Sequence, residues 1–513
     1  ANDINIAAET WTHTVMAGGN IAPPDPNTDN PLETFAPGDR AGKGVGGSLN
    51  IQEGSSTVNV DIRDGASFDT ALGTMAALAN NHRETQLIQV SGGMATDIGV
   101  NGAFGINVFD DKVSSHVADG ALISAKAVNV GAVIRQPGVF NLSGGFAVGG
   151  AVGVGVGVGI NVVNRESEAV LGYVGAGDQA AGGGRYNVDD LAVVAIQEGF
   201  ITNIDVAGGI QAPEGKGKTV QGGSGTTATS QTSTDPSEKA KGGVGASGSV
   251  AINISNANTQ AEAYLVDGSS ISDTVAVRAD DAVDITGLSG AAGITVNGGV
   301  AVAGAASINT VQSDTDAIFS AQQSDLDHQA NGASYTPYDV DISAANIGKI
   351  QAVALGIAIV AGAPSDDGGE AKVSGAVAGS FTYNSVRNDA FADIRNTRLQ
   401  LSTAPTPGPD DEDDDTAISV IANDGAQIIS VAGAVAISAG TENNTAAVGA
   451  SVAVNTIQNR TDAQIDNSAI SDADLSDDSQ IVVGSSHIAP IYSFAVAGAA
   501  GSSKLALAGS AVI

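Results

Sequence analysis

Apolar and polar residues alternate along most of this chain with a period of two, the mark of half-buried β-strands. The alternation is punctuated by a recurring short run that ends in asparagine. It reads Gly46-Gly47-Ser48-Leu49-Asn50, then Ala103-Phe104-Gly105-Ile106-Asn107, then Gly157-Val158-Gly159-Ile160-Asn161. Further copies end at Asn253, Asn309, Asn384 and Asn455. In each copy the residue before Asn is apolar, and the residues two and four before it are small. The register continues beyond the anchor, with Val58, Ser115, Ala169, Ala261, Ala317, Ala392 and Ala463 eight residues on. Only Ala71–Asn81 shows a modest helical period.

A second block precedes each anchor, an apolar residue followed by small residues and glycine. Met16-Ala17-Gly18-Gly19, Val90-Ser91-Gly92-Gly93 and Val206-Ala207-Gly208-Gly209 are examples. Eight such blocks accompany seven anchors, which implies that the sequence is an excerpt from a longer array. Spacings between anchors are 57, 54, 92, 56, 75 and 71 residues. The variation falls at two places in the repeat. Insertions at 23–44, 212–242 and 363–372 lie between the Gly-rich block and the anchor; those at 174–187, 320–338 and 401–416 follow the anchor strand. They read as projecting loops on one continuous unit, 1–513, rather than as linkers.

A repeat of this size cannot bury its own strand faces, so neighbouring copies must stack. The expected fold is all-β, a parallel β-solenoid of about seven degenerate repeats with two insertion sites in each. A period of 54 to 57 residues fits one broad rung or two to three small ones. The recurrent Asn50, Asn107, Asn161, Asn253, Asn309, Asn384 and Asn455 are expected to form a structural amide ladder at a corner. In Gly153–Gly159 one face is all valine and the other has no side chain, which would allow another sheet or chain to approach closely.

Composition fits this fold. Glycine numbers 68 of 513 residues, and aromatics are only 4%, so the bulk comes from small aliphatic side chains. The scarcity of aromatics also argues against an outer-membrane barrel, which needs aromatic girdles. The uncharged stretch between Arg135 and Arg165 alternates Val and Gly, which excludes a membrane-spanning helix. With 56 acidic against 21 basic residues, the net charge of −35 excludes nucleic acid as a natural partner. There is no cysteine, hence no disulfide or thiol chemistry.

Candidate chemistry is thin. His13, His82, His116, His328 and His487 lack metal-ligand spacing. The GxGxxG matches at Gly42–Gly47 and Gly243–Gly248 sit in strand pattern with no helix to follow, so a nucleotide site is not expected. Acidic runs at Asp410–Asp415 and Asp472–Asp478 read as solvated loops or weak calcium sites. The second run breaks the EF-hand pattern, with Asp477 at the turn glycine and Val483 at the closing Glu. Neither catalytic nor cofactor-binding residues are expected. The alternatives are a carbohydrate-active β-helix enzyme, which would require acid and base collected in one groove, and a calcium-dependent extracellular matrix protein, which would lose stability on chelation.

The segment from Ala450 to Ala463, ASVAVNTIQNRTDA, resembles the repeats of the large filamentous adhesins of Gram-negative bacteria, particularly the leukotoxin-like group. Ala251–Ala263 and Ser307–Ala317 are similar more loosely. The resemblance implies an exported, β-helical, surface-exposed fibre that mediates adhesion or matrix formation. It also implies self-association end to end or laterally, with a glycan or protein receptor.

Overall fold

The computed structural model describes residues 3–21, 43–95, 97–174, 184–212, 243–266, 268–296, 298–320, 334–362, 374–402, 416–439, 445–472, 480–502 and 505–513. Every regular element among them is a strand, including 71–81, where Ser67–Ala95 runs unbroken. All strand pairs are parallel. Two large sheets result, each eight rungs deep along its main path, with successive long strands alternating between them, and Arg398–Leu401 pairs with Ala469–Asp472 in a small third sheet. The chain is a flattened two-sheet parallel β-solenoid.

Each repeat supplies one rung. A wide-sheet strand such as Leu122–Gly149, of 28 residues, turns into a narrow-sheet strand such as Val152–Tyr173, of 22 residues. The next rung repeats the pair with Arg185–Gln211 and Gly243–Tyr264. At about 3.3 Å per residue and 4.8 Å per rung, the plate is roughly 70–90 Å across and about 38 Å along its axis. The period-two pattern specifies strands but does not count corners, so only the three-dimensional register identifies one broad rung.

The insertions predicted at 23–44, 212–242 and 363–372 are centred outside the described residues. The strands flanking them all pass from the wide sheet to the narrow one. Those flanking 174–187 and 320–338 pass back from the narrow sheet to the wide one, and 401–416 lies on the same return, after the small-sheet strand Arg398–Leu401. Variable segments therefore attach at two opposite edges of a constant scaffold.

The interior changes character across the plate. Near the narrow-to-wide edge lies a thick apolar core that includes Met75, Val130, Leu191, Ile271, Phe319 and Ile342. A second apolar cluster around Phe109, Ile201, Ile285 and Ile350 follows. Beyond it the filling is almost wholly alanine, including Ala303, Ala358, Ala378 and Ala436. Between these zones run two rows of buried polar side chains.

Candidate functional surfaces

The asparagine anchors form one of those rows. Asn107 Nδ2 donates to Asn161 Oδ1 at 2.8 Å, and Asn161 donates to Asn253 at 2.9 Å. The chain of bonds continues to Asn309 at 2.7 Å, to Asn384 at 2.8 Å and to Asn455 at 2.8 Å. Every amide points the same way along the axis, and the last one donates to Ser493 Oγ at 2.8 Å. Opposite them, Asn141 and Asn203 of the wide sheet donate to the Gly105 and Gly159 carbonyls at 2.9 and 2.8 Å. The geometry is that of an internal strut with no opening for a ligand.

Asn50 does not join the ladder. The register pairs Asn50 with Gly105 and Gln52 with Asn107, so the first anchor is displaced by two residues. The displacement keeps Asn50 facing inward, because the side-chain period is two. The ladder therefore begins at Asn107, and Gln52 occupies the position expected of Asn50.

The second polar row lies level with the register irregularities of the wide sheet at His82/Glu84 and Gln136/Val139, and no sequence motif announces it. Arg83 Nη2 donates to Asp111 Oδ1 at 2.7 Å and its Nε donates to Oδ2 at 2.9 Å, across the two sheets. Their side chains are 4% and 0% exposed, so this ion pair is fully desolvated. Gln136 Nε2 adds a bond to Asp111 at 2.6 Å, and the Arg83 guanidinium sits 4.8 Å over the Phe109 ring. Farther along the axis, Arg165 meets Asp281 at 3.4 Å, and Ser313 donates to Asn346 at 2.8 Å. Asn388 and Asn459 both donate to Asp424, which also meets His487 Nδ1 at 2.7 Å.

Beyond the asparagine ladder the usual polarity of a sheet is reversed. The glycines of 153–159 face inward, against the other sheet of the same molecule, and the valines face out. A Cβ placed on Gly153 would lie 2.2 Å from the Ile210 carbonyl oxygen, and one on Gly145 would lie 1.9 Å from that of Val156. The close approach expected of a glycine face is thus internal, and this half is too thin for larger side chains. Large aliphatic residues stand outside instead, on both sheets. Among the described strand residues of this half, Lys43 and Asp205 are the only charged types. Asp205 is buried, and desolvation holds its carboxyl well above the usual carboxylate range.

The opposite half carries the charge. On the outer face of the narrow sheet, Arg395 donates to the Tyr264 hydroxyl at 3.3 Å, and its Nε lies 4.0 Å from Asp393. Burial raises Asp393 to about 6. Burial, with repulsion from Asp314, raises Asp316 to about 6 as well. Glu262 is also raised, chiefly by burial. Nearby, His116 stacks on Tyr173 at 4.1 Å and meets Glu168 at 3.3 Å, an interaction that lowers the Glu168 carboxyl.

The remaining histidines are dispersed. His13 lies 3.3 Å from Glu84, and His82 stacks on Trp11 at 4.1 Å. His328 and the acidic run 410–415 lie outside the described residues, as do Asp474, Asp477 and Asp478. Among the described residues no group of three or more metal-ligating side chains is found. No helix there is long and apolar enough to cross a membrane. Both GxGxxG matches run into strands, Lys43–Ile62 and Gly243–Tyr264. Comparison of the chain with protein-family models, with curated proteins and with solved structures finds no match.

Proposed function

We propose that this chain is a structural segment of an extracellular bacterial surface fibre, a β-solenoid stalk that serves adhesion or matrix formation. The observation that carries the reading is the continuity of the Asn107-to-Asn455 ladder, unbroken through six rungs. A side-chain strut polarised along the axis serves stiffness, whereas a binding groove interrupts the repeat where its ligand sits. Insertions attached only at the two edges fit a stalk that displays variable loops. The resemblance of the Asn-anchored repeats to filamentous adhesins points the same way and supplies the surface location. Immunogold labelling of intact cells that make the chain tests it. Label on surface projections is expected, and label confined to the cell interior contradicts the proposal.

The mixed cluster of Tyr264, Arg395, Asp393, Asp316 and Glu262 favours one second reading, a carbohydrate-active β-helix enzyme. Carboxyls raised toward neutrality beside an arginine are suited to proton transfer on an acidic sugar. Turnover of a polyuronide that disappears in Asp316→Asn would establish it.

A further inference from the structure

The reversed half of the plate leaves two broad apolar faces in contact with solvent. On the wide sheet, four outward columns run along the axis, one of them Ile88, Leu142, Ile204, Leu288, Val353 and Val431. Beside it, Val206, Leu355, Ile357 and Val435 are 38–45% exposed. Four columns over seven rungs cover roughly 900 Å² at sheet spacings. That exceeds the few hundred Å² of apolar patch tolerated on a soluble monomer. The narrow sheet presents a comparable face, where Phe104, Val302, Val377 and Phe381 are 37–44% exposed.

Both faces combine long side chains lying over glycines with glycines that stand open. On the wide sheet, long side chains lie across neighbouring glycines. A Cβ on Gly208 would meet the Phe146 ring at 2.7 Å, and one on Gly433 would meet Leu355 at 2.6 Å. Gly92 and Gly290 of that face are open; on the narrow sheet a Cβ on Gly102 would meet the Phe104 ring at 3.0 Å, while Gly304 and Gly379 are open, with nothing within 4 Å of a Cβ at either position. They are stacked on Gly248 in one column, an axial groove between the Val302–Val377 ridge and the Ala306–Phe381 ridge.

We propose that these faces bind a second copy of the same chain, plate against plate, and that stacking continues because each copy has two such faces. Pairing one face buries roughly 1,800 Å² in total, the size of a stable protein interface. The strands of the strip carry almost no charge among the described residues, so plates can meet there with little of the repulsion expected of a chain of net charge −35. Hydrocarbon is the poorer occupant, because a two-sheet solenoid of any length exposes backbone edges at its ends. This deepens the fibre reading by naming the lateral partner, and it rests on that reading only for its biological setting.

Sedimentation velocity of the 513-residue chain at micromolar concentration tests the proposal. The expected result is a ladder of species above monomer. Leu355→Glu or Val302→Glu, each charging one face, should reduce it to dimers or smaller, and the two together should leave monomer alone. Leu355→Thr with Val302→Thr keeps strand propensity, so its weakened association cannot be ascribed to unfolding. A wild-type monomer, or assemblies unchanged in the doubly charged variant, would overturn stacking. So would monomers that float with phosphatidylcholine vesicles and never self-associate. Monomeric plates with intact rungs would overturn stacking alone and leave the fibre reading standing.

Discussion

Asn253 donates its side-chain amide to Asn309 Oδ1 at 2.7 Å, one rung along the axis and 56 residues on in the chain. The same residue accepts from Asn161, so each interior member of the ladder serves both neighbours at once. Removing one therefore strands two buried groups rather than one.

Asn253→Ala should cost about 2–4 kcal/mol, because the Asn161 amide and the Asn309 carbonyl lose their partners together. Asn50→Ala, outside the ladder, should cost distinctly less. Thermal unfolding of the two variants checks the difference; equal losses would mean that the ladder adds nothing beyond burial.

Glycine substitutions should divide by face. Gly145→Ala places a methyl 1.9 Å from a carbonyl of the opposing sheet and should cost about 3 kcal/mol or more. Gly304→Ala enters open space and should stabilise by about 0.5–1 kcal/mol through lost chain entropy. Melting temperatures should move in opposite directions.

The Arg83–Asp111 pair invites a double-mutant cycle. Arg83→Met or Asp111→Leu alone should destabilise by about 3–5 kcal/mol, since each leaves a buried charge without its partner. The double substitution should recover most of that loss. Additive losses in denaturant unfolding would show that the two charges do not depend on one another.

Asp316 and Asp393 give a pH dependence of defined sign. Both are raised to about 6 from an ordinary value of 3.8 by burial. A carboxyl raised on folding contributes fully below its unfolded value, and that contribution is lost as pH climbs through the folded value. Melting temperature should therefore fall between about pH 4 and pH 7. Relief of overall acidic repulsion acts in the same direction, so the decisive comparison is Asp316→Asn, which should flatten the slope.

The sequence carries the strand fold and most of the ladder because a buried neutral amide must recur at one register to be satisfied. Asn50 misled because a slip of two residues preserves the inward face and leaves the local pattern unchanged. Alternation in 153–159 separates valine from glycine but does not state which face is inside. The ordinary expectation of apolar residues inside fails there, because the sheets lie too close together. Arg83 and Asp111 are 28 residues apart and meet only because the two sheets face each other, so no spacing rule could join them.

Electron microscopy of the purified chain, with and without a calcium chelator, tests the central claim most directly. One rung per repeat predicts plates about 70–90 Å across and about 38 Å deep, single or stacked, whether or not calcium is removed. Slender rods about 100 Å long would mean several small rungs per repeat, and compact globules would contradict the solenoid itself.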